Sequence, residues 1–140
     1  MKKILFSTFI FCFLALTASE VFACSCLSDK PEVKEAYEDS AAVFYGKVIK
    51  ITQKPKSSYL TVKFKVEKAW KNRSGAEIII QTGQGGGSCG FHFEVGKKYL
   101  VYADDDDESA LSTSICQRTS GSNADARYLD KIKKPKLFPK

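Results

Sequence analysis

Histidine is nearly absent: His92 stands alone in 140 residues. A lone imidazole does not make a protein metal centre, and no nucleophile–base–acid set is recognisable around it in the sequence. The sequence offers no paired buried carboxylates and no phosphate-cradling glycine motif instead. An enzyme is therefore not expected, and His92 reads as an ordinary strand or loop residue. The C-x-x-C of a thioredoxin-like redox pair is missing, as are internal repeats. So is a row of aromatics among basic residues on which nucleic-acid bases could stack, so no nucleic-acid partner is expected. Long apolar runs are missing too. "ILFSTFIFCFLAL" falls short of the ~20 residues that span a bilayer, and Glu20 keeps the run from being extended.

That short run sits in a recognisable setting. A basic start, Met1-Lys2-Lys3, precedes it, and "TASEVFA" comes after it, with Val21 and Ala23 at the two small-residue positions before a cut. Residues 1–23 thus read as a secretory signal peptide of bacterial type, with Cys24 first in the mature chain. The expected location is extracellular or periplasmic. Removing Lys2, Lys3 and Glu20 with the leader takes the formal charge from +6 to +5. That mild positive balance suits an anionic surface without naming a partner.

Of five cysteines, Cys12 leaves with the leader, so Cys24, Cys26, Cys89 and Cys116 remain. An even set suits two disulfides, whereas lipidation of Cys24 would strand one thiol. A Cys24–Cys26 bridge would close a strained small ring. The residues leave two choices open: 24–89 with 26–116, or 24–116 with 26–89. Either one ties the N-terminus to two separate places. Each bridge closes a loop of roughly 60–90 residues, worth about 4 kcal/mol in the chain-entropy treatment.

The rest of the chain reads as helix, five strands, helix. "SDKPEVKEAYED" carries Asp29 as a cap, Glu32 three residues on and Pro31 in the first turn. "AVFYGKVIKI" is β-rich. In "YLTVKFKVEKAW", Leu60, Val62, Phe64 and Val66 alternate with Thr61, Lys63, Lys65 and Glu67, as in a half-buried strand. "EIIIQT", "KKYLVYA" and "LSTSIC" are three more strands, with "GQGGGS" a loop that delivers Cys89. "SNADARYLDKIKKP" reads as a helix capped near Ser122 or Asn123. Apolar residues lie on both faces of the first strand (Val43, Tyr45 and Ile49 against Phe44 and Val48), which disfavours a flat meander. The expected fold is mainly β: a five-stranded, antiparallel, partly open Greek-key barrel of the OB type with an N-terminal and a C-terminal helix. One domain covers residues 24–140, with the barrel at about 24–120, the helix at about 122–134 and a basic tail at 135–140.

"CSC" at the mature terminus, "VFYGKVI", "FKVEKAWK", "CGFHFEVGKKYLVYA" and "SICQRT" together resemble the N-terminal domain of the tissue inhibitors of metalloproteinases, in the netrin-like superfamily. The similarity covers roughly residues 24–119. It implies an OB-type barrel and the pairing Cys24–Cys89 with Cys26–Cys116. It also implies a function, secreted inhibition of zinc metalloendopeptidases. In that family the α-amine and carbonyl of the first residue chelate the protease zinc. Here Cys24 would supply both, Ser25 would enter the specificity pocket, and Leu27 would extend a ridge that includes Cys26, with Ser88 and Cys89 against it. No cofactor of the chain's own is implied, because the zinc belongs to the protease. The family's third disulfide and second domain are missing: Ala36 lies about where one cysteine would be, and none comes after Cys116.

A different function also fits: a non-inhibitory interaction module of the cell envelope, whose C-x-C is only a staple. Its basic tail, "KIKKPKLFPK", reads as solvated from its composition, and in this reading it would touch an anionic glycan or a membrane surface. A monomer is expected on either reading. "DDDDE" reads as a solvated loop, and Trp70 as core or edge packing.

Overall fold

The computed structural model describes residues 24–26, 29–72, 75–105 and 110–139. Residues 1–23, Leu27 and residues 106–109 of the acidic loop lie outside them. The elements are α1 (Val33–Asp39), β1 (Ala42–Gln53), β2 (Tyr59–Lys71), β3 (Glu77–Gly83), β4 (Lys98–Asp105), β5 (Leu111–Ser112), α2 (Ala126–Ile132) and β6 (Lys136–Leu137).

The five strands β1–β5 close into an OB-like barrel. Around the ring the order is β1-β4-β5-β3-β2, and β2 pairs back onto β1. The barrel is closed rather than partly open, and one contact is not antiparallel: β3 and β5 run parallel at Gln81 and Ser112. An odd number of strands makes this unavoidable. Direction cannot alternate all the way around a five-membered ring, so one neighbouring pair must be parallel.

Alternation along the strands fills two cores. Phe44, Val48, Val62, Phe64, Val66, Ile78, Ile80 and Val101 point into the barrel. Phe91 and Phe93 of the "GFHF" stretch join this interior, and Phe93 meets Phe64 and Tyr99 edge-on at centroid distances of 5.3 and 4.9 Å. His92 between them is exposed on a loop. Val43, Leu100 and Tyr102 face the other way and form a second core with Trp70, Ala36 of α1 and Leu129 of α2. Each helix is only seven residues long. Helices that short are marginal in isolation, so this burial holds them.

The long β1–β2 hairpin wraps the barrel through three register shifts, which bend and twist the pair. Gly46 sits at one of them. A Cβ there would lie 2.8 Å from the Lys65 carbonyl oxygen, so the strands could not approach as they do.

Several boundaries differ from the sequence expectation. The first helix starts at Val33, with Glu32 as its cap, and no side chain caps it; Asp29 and Pro31 precede it. The Pro31 carbonyl instead accepts a 3.0 Å bond from Arg118 Nη1, which holds residues 29–32 to the barrel. The last barrel strand stops at Ser112. Beyond it, Thr113 is buried and its hydroxyl donates to the Tyr102 carbonyl at 2.8 Å, and the chain then turns toward Cys116. The second helix begins at Ala126, after Asp125 rather than Ser122 or Asn123. The tail is not wholly solvated: β6 pairs with β2 at Lys68 and Ala69, and Phe138 packs against the barrel core.

Candidate functional site

Cys24 and Cys26 converge with Cys89 and Cys116 on one end of the barrel. Cys24 is bridged to Cys89 and Cys26 to Cys116, with Cα–Cα distances of 5.3 and 5.4 Å. The attachment points are separate in sequence but adjacent in space. Ile115 N–H donates to the Cys89 carbonyl at 2.9 Å, and Gly90 bridges to Ser114. The sulfurs of Cys24, Cys89 and Cys116 all lie within 4.8 Å of one another. Locked in disulfides, they are not thiolates and do not act as metal ligands.

The loop that presents Cys89 is tightly specified. A one-turn 3-10 helix, Gly86–Ser88, leads into it, and Ser88 Oγ donates to the Gly85 carbonyl at 2.9 Å. Cys89 adopts a left-handed backbone with φ 53°. The backbone of Gly90 then lies on that of Gly83, where a Cβ at Gly90 would fall 1.8 Å from the Gly83 oxygen. Phe91 N–H is held by the Thr82 hydroxyl at 2.8 Å. The "CG" of the motif is thus explained by packing: the glycine lets the cysteine loop rest on the end of β3.

Between the two anchors Ser25 is exposed, Cys24 is half-buried and Cys26 is exposed. Ser88 is exposed beside Cys89. Of the expected ridge, the structure therefore gathers Cys24, Ser25, Cys26 and Cys89, with Ser88 next in the chain. Leu27 lies outside the described residues.

Sequence reading missed the polar group just past Cys116. Arg118, two residues past Cys116, donates from Nε and Nη2 to Asp125 at 2.7 and 3.1 Å and from Nη1 to Pro31. Its hydrogen bond to Asp125 raises the guanidinium pKa further. The Tyr102 hydroxyl donates to the same carboxylate at 3.4 Å. Burial, then the Asp125 charge, pushes its phenol well above the usual tyrosine range. One arginine thus ties the chain after Cys116 to the start of α2. "SICQRT" contained the residue, but its two partners lie far from it in chain position or across a turn. A cleft of about 300 Å³ opens here, lined by Pro31, Glu35, Asp39, Asp104, Cys116 and Arg118 among others.

The geometry can do one thing well. It holds the three-residue segment 24–26 at both of its cysteines while leaving Ser25 between them open. The paired disulfides suit an oxidising environment. No protein-family model matches the chain, and no curated protein matches it.

Proposed function

We propose that the chain, once its leader is removed, binds and inhibits a zinc metalloendopeptidase by offering Cys24 to the partner's zinc. Export through residues 1–23 is part of this reading. A catalytic zinc keeps one position open for water or substrate, and the α-amine nitrogen and carbonyl oxygen of Cys24 would take it as a chelating pair. An α-amine has an ordinary pKa of ~7.7–8.0, so its neutral, ligating form is accessible near neutrality. Ser25 would enter the substrate pocket, with Leu27, Ser88 and Cys89 as the flanks of the ridge.

The observation that carries the reading is the double pinning of Cys24 and Cys26 around an exposed Ser25. A segment fixed before binding loses little conformational freedom on binding, which is what converts a short contact into affinity. The resemblance of "CSC" and "CGFHFEVGKKYLVYA" to the inhibitor family supports the same mechanism.

The test compares the mature protein with a form bearing one extra alanine ahead of Cys24, against a panel of zinc endopeptidases. The extension moves the amine off the chelating residue and places chain where zinc must approach. Inhibition should vanish while thermal stability stays the same. It should also weaken as pH falls below the amine pKa of ~7.7–8.0, because the protonated amine has no lone pair for metal. If neither form inhibits any enzyme of the panel, the C-x-C is a staple and the envelope-module reading stands.

A further inference from the structure

A second surface lies on the outside of the barrel, on the open part of the β2–β1–β4 face. Lys47 of β1 pairs directly with Lys65 of β2 on one side and with Lys98 of β4 on the other. One step along, Lys50 pairs with Lys63. Adjacent strands are ~4.8 Å apart, well inside the ~10 Å screening length of ordinary salt. Like charges placed directly opposite one another destabilise a sheet. Relief is partial: Lys98 meets Glu67 at 2.8 Å and Lys63 meets Glu77 at 2.7 Å. Among the described residues Lys47, Lys50 and Lys65 form no ion pair. The five lysines less the two glutamates leave +3 on this patch, half of the chain's formal +6.

The patch is also shaped. A groove of about 320 Å³ runs through it, lined by Lys47, Ile49, Lys65, Glu67 and Lys98. Ile49, 38% exposed at a bulge in β1, is the one apolar residue of that lining. A lipid surface is recognised by cations together with a cluster of apolar or aromatic side chains that insert; on this face the exposed ones are spread over three strands, Ile49 on β1, Tyr59 on β2 and Ile79 opposite Lys63 on β3, and only Ile49 lines the groove. Single-stranded nucleic acid needs aromatic platforms, and the groove lining has none. What remains is a row of cations with aliphatic stems along an open groove, matched to a flexible linear polymer with regularly spaced negative charges.

We propose that this face binds a linear anionic polysaccharide, with Lys47, Lys65 and Lys98 across the groove and Lys50 and Lys63 extending the track. The site is separate from the Cys24 ridge and does not depend on protease inhibition. It also differs from the C-terminal tail, part of which is occupied as β6.

A size-defined heparin fragment serves as the probe, with neutral dextran as control, titrated into the mature protein over a range of salt. The wild type should bind the fragment and not the dextran, with affinity falling steeply as salt rises. Lys47→Gln with Lys65→Gln should weaken binding at least about tenfold and release about two fewer ions in the salt dependence. The same double variant should melt a few degrees higher, because a like-charge pair has gone. That shift separates lost binding from lost fold. Lys131→Gln with Lys133→Gln, on and just past α2, should bind as the wild type does. Unchanged affinity in the sheet variant overturns the proposal, as does a loss that tracks the α2 lysines instead. Binding to phosphatidylglycerol vesicles in preference to the fragment overturns it too, and assigns the face to membranes.

Discussion

At Gly90 a missing side chain determines where a cysteine can sit. The Gly90 backbone occupies the space beside the Gly83 carbonyl that any Cβ would need, and the contact is backbone on backbone, so no flexible side chain can yield. Gly90→Ala should destabilise by at least the 1–3 kcal/mol typical of overpacking, read as a lower denaturant midpoint with an unchanged slope. No change would mean that the loop can rest elsewhere. Asp130 shows a charge with a different kind of work. Its carboxylate accepts from Trp70 Nε1 at 2.9 Å and pairs with Lys68 at 2.9 Å. Partial burial acts to raise its pKa, yet the bonds from Lys68 and Trp70 win and hold it below the ordinary carboxylate value. A depressed folded-state pKa contributes stability above the unfolded value of ~3.9, and that stability is lost as pH falls through the lower, folded value. Asp130→Asn should therefore narrow the stability gap to wild type as acid is added, measured by chemical denaturation from neutrality to pH ~2. A gap that stays constant through that range would dismiss the linkage. Neither feature is legible in the sequence: "CG" and "LD" carry no trace of the partner that each residue meets.

The elements show where local signals suffice and where they are overruled. β2 obeys its alternation, because Val62, Phe64 and Val66 all enter the core. Both helices form where the pattern places them, yet both begin later than their capping residues suggest. Asp125 illustrates the reason: the carboxylate next to α2 bonds Arg118 and Tyr102 instead of capping the helix. A side chain that gains a charge-assisted pair in the fold is worth more there than as a cap. The tail departs from expectation because its composition, rich in lysine and proline, reads as solvated. Only a neighbouring strand with an open edge makes β6 possible, and only the folded barrel gives Phe138 an apolar surface to pack against. Deleting residues 135–140 should lower stability by about 1–3 kcal/mol, the range for losing one large, half-buried apolar side chain. Phe138→Ala should reproduce most of that loss. A deletion without effect on the thermal midpoint would return the tail to solvent.

Over the whole molecule, two bridges fasten the segment Cys24–Cys26 to positions 65 and 90 residues away in sequence. Replacing Cys26 and Cys116 together by serine, which leaves no odd thiol, should cost about 2–5 kcal/mol. It should also loosen the ridge, detectable as faster hydrogen exchange at residues 24–26. Undiminished stability would show that the second bridge adds nothing. The amino-acid order alone determined the class of the fold. Alternating apolar residues specify strands, apolar residues on both faces of the first strand require cover on both, and a C-x-C rules out the bridge within itself by ring strain. These are local constraints, fixed by bond geometry and by the two-residue period of a strand. Closure of the barrel, the parallel β3–β5 contact, the meeting of Cys89 and Cys116 and the lysine row across β2, β1 and β4 are of another kind. Each depends on strand register and on which edges meet. Those are settled only when the whole ring closes and every buried face finds its partner, since a one-residue slip would exchange the inner and outer faces of a strand.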